Sequence, residues 1–191
     1  MLKPDYPIET ERLLLRPLVP TDVDAMHAYQ SRPDVCRYIP YEPRTKEQIT
    51  ERLADVETRN RSTLEDAGQV LSLGIVVRDT GALVGDVVLF WHSAQDRSGE
   101  IGYVLHPDHA GNGYATEAGR ALLALAFDEL GLHRVVGRID ARNEASAAVL
   151  RRLGLRQEAV LVENEWFKGE WSTEIVFAIL EDEWRAQPRP S

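Results

Sequence analysis

Cysteine is almost absent: Cys36 is the only one in 191 residues. No intramolecular disulfide and no cysteine-based zinc site can form. A lone cysteine is expected to be buried and inert rather than nucleophilic. Long apolar runs are absent too. No stretch approaches the ~18 apolar residues of a membrane span, and Met1-Leu2-Lys3-Pro4-Asp5 has no apolar signal core. Positive charge is scarce, with 22 Lys and Arg against 31 Asp and Glu, a net charge of −9. That argues against a nucleic-acid partner and fits a cationic one, such as an amine. The expectation is a cytoplasmic protein that contacts no membrane and no nucleic acid. Internal repeats, low-complexity segments and linkers are missing as well, so the chain reads as one domain.

What is present is ordinary globular patterning. The run Leu13-Leu14-Leu15 reads as a short buried strand ended by Pro17. Thr21 or Asp22 can cap a helix to about Gln30. Residues 32–44, with three prolines, read as a loop. Thr45, with Gln48 three residues on, makes a capping box for a helix to about Asn60. Val70–Arg78 and Leu83–Trp91 flank Asp79-Thr80-Gly81 as a hairpin, and Ser98–His106 is a further strand. Tyr114–Leu130 sets Ala118, Ala121, Leu122, Leu125 and Ala126 at helical spacing, with Gly131 as the stop. Arg134–Ala141 is a strand and Asn143–Leu153 a short helix. Leu155–Phe167 and Trp171–Leu180 form a last antiparallel pair. The order is β, α, α, β, β, β, α, β, α, β, β. It predicts an α/β (α+β) fold with a mixed, mostly antiparallel sheet and flanking helices. Only the strand–helix–strand unit Glu100–Ala141 is expected to be parallel. The domain is expected over residues 8–182, with 183–191 as a tail.

The segment His109-Ala110-Gly111-Asn112-Gly113-Tyr114-Ala115-Thr116-Glu117-Ala118 stands between a strand and a helix. Glycine lets a backbone approach an anion closely. The first turn of the helix then offers unpaired N–H groups and the positive end of its dipole. A P-loop needs Lys-Ser/Thr after the second glycine, where Tyr114-Ala115 stands. A Rossmann turn needs a third glycine, where Thr116 stands. Alone, the Gly-x-Gly pair is no more than a tight bend.

Its surroundings say more. From Ile101-Gly102-Tyr103-Val104-Leu105-His106-Pro107-Asp108 through the glycine turn to Thr116-Glu117-Ala118, the chain resembles the acetyl-coenzyme A motif of the GNAT N-acetyltransferase superfamily. It is most similar to the ribosomal-protein-alanine acetyltransferase-like branch. Asn143-Glu144-Ala145-Ser146 and Leu153-Gly154-Leu155 resemble that branch's Asn-x-x-Ser and Leu-Gly-Phe signature. Glu9-Thr10-Glu11-Arg12-Leu13-Leu14-Leu15-Arg16-Pro17 resembles its opening strand.

The resemblance implies an acetyl-CoA-dependent N-acetyltransferase that needs no metal and acts on a primary amine, either a protein N-terminus or a small amine. It implies a V-shaped split between two parallel strands. The N–H groups of Gly111, Asn112, Gly113, Tyr114, Ala115 and Thr116 would hold the pyrophosphate of coenzyme A. The strand edge at Val104 and Leu105 would pair with the pantetheine amides, and the Leu105 N–H would face the thioester carbonyl. Asn143 and Ser146 match a position near the pantetheine arm, and Asn143 can equally be a helix cap. Glu100 is the candidate base or an ordinary ion-pair partner, with His92 and His106 as alternatives. Ser146 or Tyr103 could protonate the leaving thiolate. Arg142, Arg151 and Arg152 are candidates for the cofactor's 3′-phosphate, and Tyr38, Tyr41 and Trp91 for an acceptor cleft. The family pattern carries Gln or Arg where this chain has Ala110, so the cradle is left to the backbone, and weaker or reoriented cofactor binding is expected. A catalytically weak acyl-CoA sensor, or transfer of another acyl group, remains the alternative. A homodimer is compatible with the aromatics of the last hairpin.

Overall fold

The computed structural model describes residues 1–188. The strands are β1 (Ile8–Glu9), β2 (Leu13–Pro17), β3 (Val70–Val77), β4 (Leu83–Ser93), β5 (Ser98–Leu105), β6 (Arg134–Asp140), β7 (Arg156–Phe167) and β8 (Glu170–Leu180), with β3 buried almost throughout and β7 at the exposed edge. They form one sheet in the order β1-β2-β3-β4-β5-β6-β8-β7. All pairs of neighbouring strands are antiparallel except β5–β6.

Helices cover both faces. Helix α4 (Tyr114–Ala124), extended by a π turn at Leu125–Glu129, and α5 (Glu144–Arg152) lie on one face. There Ala118, Leu122, Leu123, Ala147 and Leu150 join the large core with Leu73, Leu89 and Ile101. On the other face are α1 (Val23–Gln30), α2 (Pro33–Cys36) and α3 (Lys46–Ala54). Met26, Tyr29, Ile49 and Leu53 form a second cluster there, against Val104. Strand alternation explains the division: Ile101 and Tyr103 point to α4, while Val104 points to α1.

The β5–β6 pairing is short. Its register runs Ser98↔Arg134, Gly99↔Val135 and Glu100↔Val136 and then stops. Strand β5 keeps its other neighbour along its whole length, to Gly85↔Leu105. The two parallel strands therefore part after Glu100, which is the expected V-shaped split.

The structure corrects several boundaries. The second long helix ends at Ala54 rather than near Asn60. Asp55 caps the next turn through Thr58, and the Asn60 amide turns inward to Leu18 O and Leu53 O. The expected loop at 32–44 contains α2, which starts on Pro33. Residues 183–186 of the expected tail are helical. Helix α6 (Glu181–Ala186) packs Trp184 on Phe127, with ring centroids 5.9 Å apart, and Gln187 Nε2 donates to Leu153 O. Residues 189–191 lie outside the described residues. At the other end Leu2 is buried and exchanges backbone hydrogen bonds with Leu64, so the packed unit begins before residue 8. On the last hairpin Trp166 and Trp171 are exposed and meet edge-to-face at 5.4 Å. Among the described residues, no helix is long and apolar enough to cross a membrane.

Gly85 sets how closely β4 and β5 approach at the mouth of the split. A Cβ there would lie 2.2 Å from Val104 O, a backbone atom that cannot swing away. Gly85→Ala is therefore expected to destabilise the fold by about 1–3 kcal/mol, read as a lowered midpoint in thermal unfolding.

Candidate active site

The split leaves one edge of β5 free. The His106 N–H donates to Val84 O at 2.8 Å, which fixes the alternation along the strand. Groups of Val104 and Gly102 point the same way, toward β4. Those of Ile101, Tyr103 and Leu105 point the other way, into the split. Beyond Leu105, Pro107 ends the strand and a 3-10 turn at Pro107–His109 leads to the glycine turn. A cleft of about 1780 Å³ runs along this edge and over the start of α4, and Tyr103, Val104, Leu105, Ala110 and Thr116 are among its walls.

Gly111 and Gly113 have φ of +81° and +79°, the left-handed region that favours glycine. A Cβ on Gly111 would meet nothing within 4 Å. Gly113 is the cap of α4 and has no side chain to bond the first-turn N–H groups. An anion of phosphate size fits this turn, and the helix dipole favours it. Glu117 in the same turn would oppose an anion, but it is already held. Arg12 Nε donates to Glu117 Oε2 at 2.8 Å, and the Thr10 hydroxyl donates to Oε1 at 2.6 Å. Burial raises the Glu117 carboxyl, yet these bonds outweigh burial and keep it below the usual carboxylate range. Arg12 Nη1 also donates to Asn112 O at 2.8 Å, tying β2 to the turn.

Tyr103 and Ser146 are brought together across the split. The Tyr103 and Ser146 hydroxyls lie 2.8 Å apart, and Tyr103 Oη is 3.0 Å from Ser146 O. The Ser146 N–H donates to Asn143 Oδ1, so Asn143 is the cap of α5 and Ser146 sits in its first turn. Burial pushes the Tyr103 phenol up to about 12, against the pull of the Ser146 hydrogen bond, so it holds its proton at neutral pH.

Glu100 lies elsewhere. It shares the opposite sheet face with Val104, 3.1 Å from His92 Nε2 and 3.5 Å from Arg138 Nε. Five residues of extended strand, roughly 16 Å, separate it from Leu105. His106 points to Tyr29 and accepts from the Asp108 N–H.

Of the three arginines, only Arg152 lines the cleft. Arg142 is bound to Asp140 and Glu170, and Arg151 lies over Phe177. Arg120 lines the cleft as well and was not singled out from the sequence. Its signal was its place one helical turn after Thr116. Of the aromatics, Tyr38 lines the cleft, while Trp91 packs against the core and the Tyr41 hydroxyl is buried. Cys36 is buried, and burial pushes its thiol up.

The far side of the split is roofed by long-range contacts. Lys168, at the tip of the β7–β8 hairpin, donates to Cys36 O at 2.6 Å and Tyr41 O at 2.8 Å. Arg142 joins Glu170 at the same tip to Asp140 and stands 5.6 Å from the Tyr38 ring centre. The Arg142 guanidinium holds the Asp140 carboxyl down at about 2, against burial.

Residues 12–156 match the acetyltransferase (GNAT) domain family. The uncharacterized N-acetyltransferase YnaD of Bacillus subtilis is 32% identical over 177 residues, covering 93% of this chain and 98% of its own. The spermidine N(1)-acetyltransferase of Escherichia coli is 25% identical over 173 residues, covering 91% and 88%. Among solved structures, a GNAT-family acetyltransferase from Bacillus anthracis superposes with a TM-score of 0.81 at 30% identity, covering 92% of this chain and 98% of that one.

Two substitutions test the turn. Gly113→Glu puts a side chain and a charge into it and is expected to abolish coenzyme A binding by calorimetry. Arg12→Ala frees the Glu117 carboxylate beside the anion and is expected to weaken coenzyme A about tenfold, for roughly 1.4 kcal/mol of lost charge compensation. Equal affinity in Arg12→Ala would mean that Glu117 does not feel the anion.

Proposed function

This chain belongs to the GNAT acetyltransferase family, and we infer that it moves an acetyl group from acetyl-CoA to a primary amine. The observation that carries the reading is a free strand edge leading into a helix N-terminus with two left-handed glycines. Coenzyme A combines a row of amides with a pyrophosphate, and this arrangement offers a partner to each. The amides pair with the β5 edge as an added strand would. The pyrophosphate meets the N–H groups of 111–116. Arg120 and Arg152, both on the cleft wall, are the cations we assign to the 3′-phosphate.

The chemistry then follows from balance. The amine nitrogen forms a bond to the thioester carbon, and charge collects on the carbonyl oxygen, where the Leu105 N–H is the donor. The carbon–sulfur bond breaks as the oxygen recovers its double bond. An alkylammonium acceptor gives up two protons in becoming the amide nitrogen and sulfur gains one, so one proton leaves to solvent and a base must take it. Tyr103, protonated and held by Ser146, lies on the cofactor face and serves as donor to the departing sulfur. Glu100, paired with His92, is the candidate acceptor of the nitrogen's proton, and its distance along the strand requires a file of water. The relative from Escherichia coli is named for spermidine. We carry over from it the class, a cationic amine, and no individual acceptor.

Thiol release from acetyl-CoA across a panel of peptides and small amines tests the reading, and silence with every amine would sink it. Tyr103→Phe is expected to lower kcat about 10–100-fold with little change in KM for acetyl-CoA. Glu100→Gln is expected to lower turnover and remove the acid limb of the pH–rate profile. A profile identical to that of the unmodified enzyme would take Glu100 out of the mechanism.

A further inference from the structure

Two tryptophans outside the cleft stand open to water. Trp166 on β7 and Trp171 on β8 are 61% and 56% exposed and meet edge-to-face. They are opposite one another in the hairpin ladder, one pair back from Phe167↔Glu170. Glu170 and Ser172, on either side of Trp171, turn to Arg142 and Asp140. The two tryptophans therefore occupy the other face of the hairpin. Val160, opposite Ile175, shares that face and is exposed as well. Tryptophan is mostly buried in free domains, because it leaves a large apolar area wet. It is enriched where a partner docks.

The form of the hairpin narrows the kind of partner. The β7 register slips between Gln157 and Ala159 and again between Leu161 and Glu165. Its outer edge is bent and offers no straight ladder for an added strand, so a partner meets side chains. Between residues 156 and 174 the hairpin has five glutamates, against Arg156 and Lys168. Glu163 and Glu165 make no ion pair among the described residues. The Glu163 N–H donates to Thr173 Oγ1 at 3.2 Å, and Thr173 is two residues from Trp171 on the same face. A second copy would set this acidic surface against itself, because a two-fold contact brings each patch onto its own image. Arginine and lysine side chains are complementary to it: the cation stacks on tryptophan, and carboxylates flank it.

The surface adjoins the cleft. Lys168, two residues or about 7 Å of strand beyond Trp166, donates to Cys36 O and Tyr41 O. Tyr38, between those two in the chain, lines the cleft. We propose that the outer face of the β7–β8 hairpin, centred on Trp166 and Trp171, docks an arginine- or lysine-rich segment of the acceptor, a polypeptide whose terminal amine enters the cleft. The proposal rests on the acetyl-transfer reading and narrows its acceptor to a chain with basic residues beyond its amino terminus. The tryptophans and Glu163 contribute affinity for that segment and take no part in the transfer itself.

Fluorescence anisotropy reads docking directly and needs no turnover. The probe is a labelled alanyl peptide amide with arginines in its second half, and the control has glutamates in their place. The arginine peptide is expected to bind about tenfold more tightly than the control, and to weaken as salt is raised. Trp166→Ala with Trp171→Ala is expected to weaken it about tenfold and to raise the KM for its acetylation equally. In the same variant kcat, the KM for acetyl-CoA and turnover of propylamine are expected to change less than about twofold. Glu163→Lys is expected to weaken the arginine peptide about threefold. Equal affinity for the two peptides, or unchanged arginine-peptide affinity in the double variant, overturns the proposal. So does an equal loss with propylamine, which marks a structural role, or a dimer that the double variant dissociates in sedimentation, which makes the surface a contact between copies. If the double variant fails to fold, unchanged affinity in Glu163→Lys overturns it instead. If no amine releases thiol, the acetyl-transfer reading falls, and the anisotropy measurements still decide the docking surface.

Discussion

Strand β5 is tied on one side along its whole length and on the other for only three residues. The rest of the site depends on that imbalance. An unpaired strand edge inside a sheet is ordinarily a liability, because its N–H and C=O groups still need partners. Here the liability is tolerable because each parting strand is secured on its outer side, β5 by β4 and β6 by β8. The gap is also bridged by side chains rather than backbone, through the Tyr103 and Ser146 hydroxyls. What remains is a short row of backbone groups facing a cleft, matched to a ligand that is itself a chain of amides.

The same strand delivers the second half of the site. Pro107 cannot extend the ladder, so the chain leaves the sheet where the split is widest and enters α4 through two left-handed glycines. The strand edge and the helix start thus line one cleft, joined by the short turn at Pro107–His109. Ala110 fits that scheme, since the turn works through main-chain groups. The charge a longer residue would have carried is partly replaced from a distant segment. Arg12 neutralises Glu117, the one acidic side chain in the first turn of α4, and clamps Asn112 O. Net field at the turn is thereby restored to that of the bare helix end.

Elements with a clear period were legible in the sequence: the β3–β4 hairpin, α4, and the cap of α5 by Asn143. Elements that owe their existence to packing were not. Helix α2 is four residues long and forms between prolines, below the length at which spacing carries a signal. Helix α6 had a readable start, with three acids in its first turn and Arg185 in its last, but its hold is Trp184 against Phe127, far away in sequence. Within the candidate site, Gly111 and Gly113 share one turn, while Tyr103 and Ser146 are 43 positions apart and meet only in the fold. Trp91 shows the converse. As a β4 residue opposite Gly99 it alternates onto the core face, so an aromatic that looked available for a ligand is packed away. Arg12 with Glu117, Asp86 with Tyr29, and Lys168 with Cys36 join residues 105, 57 and 132 positions apart. No local pattern announces such pairs.

Those distant pairs also decide what the roofed side of the sheet can attract. A net charge of −9 by itself says little about a cationic ligand, because exposed carboxylates are screened beyond about a Debye length of roughly 8 Å. Within the roof, carboxylates share their cations, Glu170 and Asp140 sharing Arg142 and Glu174 and Glu100 sharing Arg138, so each trio keeps one negative charge. Lys168 adds positive charge at the hairpin tip, shared between the Cys36 and Tyr41 carbonyls and the Glu42 carboxylate. The local field is therefore set by the residual, not by the total. Removing Arg138 or Arg142 would leave two carboxylates uncompensated without adding an acid. Selectivity for a charged acceptor can in this way drift by rearranging pairs at the rim while the strand edge and the glycine turn, which we assign to coenzyme A, stay fixed.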